Sequence, residues 1–168
     1  MNGKTKRIAR LALLTALGVV LLYFAALLPS ARLATTAIAG FLTAAALMMY
    51  GYGWGIGVYA MTSMLAFLIL PAKGCAIYYA AFFGYYPIAK SLFERCKNRS
   101  LSWTFKGLLY TAAFIAWWFL VASVLTVTKI SVGWYLAWPV GAAFFIVYDI
   151  CLSKMIYFYI KRISGYIK

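Results

Sequence analysis

Charged residues in this chain fall in clusters, and between the clusters run long apolar stretches. The first stretch runs from about Ile8 to Leu28. Four cations, Lys4, Lys6, Arg7 and Arg10, lead into it, and Thr15 is its one clearly polar residue. At 1.5 Å of rise per residue, about 18 to 21 helical residues cover the roughly 30 Å of a bilayer's hydrocarbon. Five more apolar runs follow, at about 33–50, 54–70, 75–92, 104–127 and 134–159. Turn-forming or charged segments separate them: Pro29-Ser-Ala-Arg32, the glycines of 51–57, Pro71-Ala-Lys-Gly74, the charged stretch from Glu94 to Arg99, and Thr128-Lys-Ile-Ser-Val-Gly133. The pattern predicts an all-α polytopic membrane protein, a single six-helix transmembrane bundle over residues 1–168. A cleavable signal peptide has a hydrophobic region of about 7–15 residues, and the first run is longer. It therefore reads as a retained helix.

Composition points the same way. The chain is 67% apolar, 19% aromatic and 11% charged, with two acids in 168 residues. Two acids cannot build the mixed charged surface of a soluble domain, so lipid must be the solvent for most of this surface. The net charge of +14 does not indicate nucleic-acid binding, because the cations sit between apolar runs and form no basic face. They read as topology signals and as contacts for the anionic headgroups of the bilayer. Six spans place the N-terminus, the second and fourth loops and the C-terminus on one side. That side carries thirteen Lys and Arg, and the other carries only Arg32, Lys73 and Lys129. By the positive-inside rule, both termini are expected in the cytoplasm of a multi-pass cell-membrane protein.

Within the spans, small residues mark faces that suit close helix packing in lipid. Ala9, Ala12 and Ala16 fall at i, i+3 and i+7 on the first helix, and the second is rich in Ala with Gly40. The run Tyr50-Gly-Tyr-Gly-Trp-Gly-Ile-Gly57 lacks the Lys-Ser or Lys-Thr of a phosphate loop. It reads as a tight turn with interfacial aromatics, with Gly53 and Gly57 forming a small-xxx-small edge on the third span. Gly84-Tyr-Tyr-Pro87 should bend the fourth span.

The chemistry-bearing residues are few. Cys75, Cys96 and Cys151 show no metal-ligand spacing, and there is no histidine, so neither a metal site nor a cofactor is expected. The only carboxylates are Glu94, in a loop, and Asp149, in a span. Ser91 beside Lys90 points away from it on a helix, and no P-loop is present. The chain is not expected to be an enzyme, so any uphill transport must draw energy from a partner.

An acid in a membrane helix costs about 2.5–3.5 kcal/mol, so Asp149 needs a partner or water. Counted from the outer end, Asp149 and Lys90 each lie 15 residues into their spans, roughly 22 Å deep. Matched depth suggests an intramembrane ion pair, either structural or part of a proton or ion relay. Outside, Arg32, Lys73 and Lys129 lie one per loop. They are either three solvated interface residues or a mouth that attracts an anionic solute. With no Gln and only Asn2 and Asn98, a pocket below would be lined by Tyr, Trp, Ser and Thr. Such a lining suits a flat, partly aromatic ligand.

The chain resembles the substrate-binding S components of energy-coupling factor (ECF) transporters. The resemblance covers the six short spans, the basic, acid-poor composition and the opening helix Arg7-Ile-Ala-Arg-Leu-Ala-Leu-Leu-Thr-Ala-Leu-Gly-Val-Val20, with its Ala-xxx-Ala motif at Ala12 and Ala16. It implies a bacterial vitamin or micronutrient capture protein that works with a coupling membrane subunit and two ATPases. It also implies that the Ala9, Ala12 and Ala16 face docks the coupling subunit, and that the loops bearing Arg32, Lys73 and Lys129 close over the solute. A small structural membrane protein, a scaffold resembling rod-shape-determining membrane proteins, stays open as the other class.

Overall fold

The structure is a computed structural model that describes residues 3–28, 31–93, 104, 107–115 and 134–164. The chain divides into two compact units, Met1–Arg95 and Cys96–Lys168. The described residues form helices joined by short turns, as the apolar periodicity predicts. Among them, four helices are long and apolar enough to cross a membrane: Lys4–Leu27, Arg32–Tyr50, Tyr52–Ile69 and Trp138–Tyr159. Their surfaces fit that solvent. Leu13, Leu68 and Val140 are each 70% exposed, and Met64 is 68% exposed, which water would penalise and lipid does not.

In the first unit, α1 (Gly3–Leu27), α2 (Arg32–Tyr50) and α3 (Tyr52–Ile69) run up, down and up, each packed on the other two. Helix α1 begins at Gly3, so its four cations ride on exposed helical turns rather than on an unstructured lead. Its buried face is Leu11, Thr15, Gly18, Val19, Leu22, Ala25 and Ala26, the stripe a 3.6-residue period requires. Helix α2 buries Thr36, Ala37, Ala39, Gly40, Thr43, Ala44 and Ala46, the small-residue packing expected of it. Gly18 makes room for α3: a Cβ there would lie 3.1 Å from Thr62 Cγ2.

The glycine run resolves differently from the expected turn. Gly51 alone makes the turn, with φ at +88°, and α3 starts at Tyr52. Gly55 faces α2, where a Cβ would press on Leu47 at 3.0 Å. Gly53 and Gly57 have open space in front of them, so their small-residue edge faces outward. Tyr52 and Trp54 thus belong to the first turn of the helix and not to a loop.

The fourth expected span is three pieces. Helix α4 (Lys73–Tyr78) passes into a π turn at Tyr79–Phe83, and after Gly84 and Tyr85 the chain resumes as α5 (Tyr86–Phe93). Pro87 occupies the first turn of α5, where its missing N–H costs nothing, and the interruption lies just upstream of it.

In the second unit, the described part of the 104–127 span is residue 104 and a helical stretch, α6 (107–115). The rest of that span, with Trp117-Trp118, lies outside the described residues. Helix α7 (Trp134–Ser164) extends past the expected end at 159 and carries Pro139 inside it. Its buried face is Phe145, Tyr148, Asp149 and Leu152. Tyr110 of α6 stacks on Phe145 with ring centroids 5.2 Å apart, and its hydroxyl donates to the Trp138 carbonyl at 2.8 Å. Gly141 opens the space for that hydroxyl, since a Cβ would lie 2.5 Å from it.

Candidate functional site

The first unit holds a group of hydroxyl side chains from three neighbouring elements. Thr43 comes from α2, Tyr59, Thr62 and Ser63 from α3, and Tyr79 opens the π turn. Residues 59, 62 and 63 share one side of α3 because they lie at i, i+3 and i+4. Thr43 Oγ1 and Tyr79 Oη form a 2.7 Å hydrogen bond between groups that are 0% and 1% exposed. Tyr59 Oη donates to the Ala80 carbonyl at 2.8 Å. The rings of Tyr59 and Tyr79 lie 6.2 Å apart.

The π turn explains the second bond. The Gly84 N–H reaches five residues back, to the Tyr79 carbonyl at 2.7 Å. In an α-helix it would bond the Ala80 carbonyl, four residues back. The π turn takes that donor away, and the Tyr59 hydroxyl replaces it, which keeps a half-buried carbonyl satisfied. Gly84 is what lets the ring approach: a Cβ there would lie 2.7 Å from Tyr59 Cδ2 and 2.8 Å from Tyr79 Cε1.

Two more hydroxyls sit beside this pair without a bond of their own. Thr62 lies next to the Tyr79 hydroxyl and Ser63 next to that of Tyr59. Neither Oγ meets a partner in hydrogen-bonding geometry, although both atoms are buried. The other buried threonines are satisfied along their own helices, Thr15 by the Leu11 carbonyl at 3.0 Å and Thr36 by that of Arg32 at 2.6 Å. Among the described residues, two of the three buried side-chain polar atoms without a hydrogen bond thus lie at the π turn, and the third, Tyr50 Oη, is at the end of α2. Sequence reasoning expected Tyr, Trp, Ser and Thr to line a pocket below the mouth. It did not single out Tyr59, Thr62, Ser63 and Tyr79, for which the readable signal was the polar i, i+3, i+4 triplet opposite Gly84-Tyr-Tyr-Pro87.

The residues singled out from sequence distribute as follows. Ala9, Ala12 and Ala16 are all exposed, on the flank of α1 beside its buried stripe. Arg32 and Lys73 are exposed at the starts of α2 and α4. The up-and-down order brings both to one end of the unit, and Lys73 Nζ donates to the Phe67 carbonyl. At the opposite end, Arg7 lies over the Tyr50 ring, 5.8 Å from its centroid. Lys129 lies outside the described residues. Lys90, in the last turn of α5, is 0% exposed, and Asp149 on α7 is 4% exposed. The two charges belong to different units, and their pairing remains an expectation from depth. Among the described residues no group of His, Cys, Asp and Glu is arranged to hold a metal ion.

No protein-family model, no curated protein and no solved structure matches this chain.

Proposed function

We propose that this chain is the membrane-embedded, solute-binding subunit of an ECF-type uptake system for a vitamin or other micronutrient. In this reading it spans the cell membrane six times with both termini in the cytoplasm. It is not itself an enzyme, and partner ATPases energise it through a coupling membrane subunit. The observation that carries the reading is the orientation of α1. Its Leu11–Thr15–Gly18–Leu22 stripe is spent on packing within the unit, and Ala9, Ala12 and Ala16 are left exposed as a shallow face. A neighbouring helix can approach such a face closely, and lipid gains nothing from it. Arg32 and Lys73, exposed together at the other end from the N-terminal cations, suit an entrance for an anionic or aromatic solute, with Lys129 as the third gate residue.

The test is to replace Ala12 and Ala16 by Trp, singly and together. Each protein is then purified in mild detergent, with mass spectrometry of the proteins and small molecules that accompany it. The expected result is a folded protein that has lost its coupling and ATPase partners, together with loss of solute uptake in cells. Uptake and assembly that survive both substitutions refute the docking mechanism. Co-purification of cell-wall or division proteins with no ATPase identifies the structural scaffold instead.

A further inference from the structure

We infer that the π turn at Tyr79–Phe83 is a two-register hinge, and that the hydroxyls of α3 are its latch. The inference concerns how the fourth span moves, and it holds whether or not a solute is carried.

In the register seen, the Gly84 N–H bonds the Tyr79 carbonyl, Tyr59 Oη donates to the Ala80 carbonyl, and Ser63 Oγ is buried beside Tyr59 with no bond. Converting the turn to α geometry moves the Gly84 N–H onto the Ala80 carbonyl. That releases the Tyr59 hydroxyl, and Ser63, one helical turn along α3, is the neighbouring acceptor without a partner. The Tyr79 carbonyl in turn takes the Phe83 N–H, as any α turn requires. The Gly84 N–H and the Tyr59 hydroxyl each have one acceptor in either register, the first a backbone carbonyl and the second the Ala80 carbonyl or Ser63 Oγ, so neither donor is left orphaned by the exchange. That balance makes two states of similar energy, which is what a switching element needs. Thr62 offers the same exchange to the Tyr79 hydroxyl, now bonded to Thr43.

The break at Gly84–Tyr85 and the missing N–H of Pro87 uncouple α5 from α4 at this point, so α5 can turn without unwinding α4. One residue of register corresponds to a rotation of up to about 100° and a shift of about 1.5 Å. Lys90, wholly buried on α5, turns with it. A buried charge thereby changes its surroundings through an exchange of hydroxyl partners about two turns away.

The experiment uses the full chain with Cys75→Ala, Cys96→Ser and Cys151→Ser, and spin labels at the exposed positions Met64 on α3 and Leu92 on α5. Pulsed electron–electron distances are measured in lipid nanodiscs. Two populations are expected in the parent protein. Tyr59→Phe removes the latch on the Ala80 carbonyl and enriches the α register. Ser63→Ala removes the alternative acceptor and enriches the π register. Each shift is about fivefold, the population change made by about 1 kcal/mol, the usual net worth of one hydrogen bond. A single distance common to all three proteins overturns the hinge, and so do two variants that shift the same way.

Discussion

Gly84→Ala probes the packing at the π turn without introducing backbone strain. Gly84 has φ of −76° and ψ of −44°, ordinary right-handed values that alanine adopts freely. The whole cost must therefore come from what the new methyl meets. It would meet Tyr59 Cδ2 at 2.7 Å, Tyr79 Cε1 at 2.8 Å and Tyr59 Cε2 at 2.9 Å, all well inside van der Waals contact. Neither ring has an easy escape. Tyr79 is 1% exposed and hydrogen-bonded to Thr43, and Tyr59 is tied to the Ala80 carbonyl. Forcing a methyl into a packed interior costs about 1–3 kcal/mol. If one of the two tyrosine bonds breaks, a further 1–2 kcal/mol or so is lost. The expected destabilisation is thus about 1–5 kcal/mol, the upper part of it if a tyrosine bond breaks. The control is Gly57→Ala on α3, where the methyl enters open space. There the better helix propensity of alanine should leave stability unchanged or raise it by up to about 1 kcal/mol. Unfolding in mixed micelles with rising SDS, followed by circular dichroism and tryptophan fluorescence, ranks the three proteins. If Gly84→Ala is as stable as Gly57→Ala, the close approach of Tyr59 and Tyr79 at the π turn is wrong.

Further predictions use the same unfolding assay. Thr62→Val removes a buried hydroxyl that lacks a partner, so it should be neutral or stabilising by up to about 1 kcal/mol, whereas Thr43→Val breaks the bond to the Tyr79 hydroxyl, which can turn to Thr62, and should cost about 0.5–1.5 kcal/mol. Gly141→Ala places a methyl 2.5 Å from Tyr110 Oη and should cost about 1–3 kcal/mol, most of it recovered in the double variant with Tyr110→Phe. The expected Lys90–Asp149 pair predicts that Lys90→Met and Asp149→Asn each cost about 3–5 kcal/mol and that the double variant costs clearly less than their sum. Additive losses would refute the pairing.

What was legible in the sequence was what long apolar periodicity can carry. The first two spans were placed to within a few residues, because cations or a turn bound an uninterrupted run whose polar residues, Thr43 apart, bond their own helix. The small-residue character of α2 was readable for the same reason: Ala and Gly at helical spacing have one use in lipid, close packing. The glycine run misled because four alternating glycines carry two different jobs. Only Gly51 needs a positive φ, and Gly55 is needed for the nearness of Leu47, a fact that resides in α2 and not in the run itself.

The fourth span shows why the rest was hidden. A proline at position 87 announces an interruption, and the interruption is there. Its form, however, is decided by α3, a helix that ended well before the interruption begins. A π turn leaves the Ala80 carbonyl without its α-helical donor, and such a turn persists only if something else donates to it. Tyr59 does so, and it can reach only because residue 84 has no side chain. No local window contains both halves of that condition. An apolar helix in lipid has little hydrophobic reason to prefer one neighbour over another, so polar contacts of this kind carry much of the specificity. In a chain with two carboxylates and no histidine, hydroxyls do much of this, and Thr43, Tyr59, Thr62, Ser63 and Tyr79 gather where the helix is broken. The break, its hydroxyl partners and the glycine that admits them therefore form one unit, and replacing any one of them tests the other two.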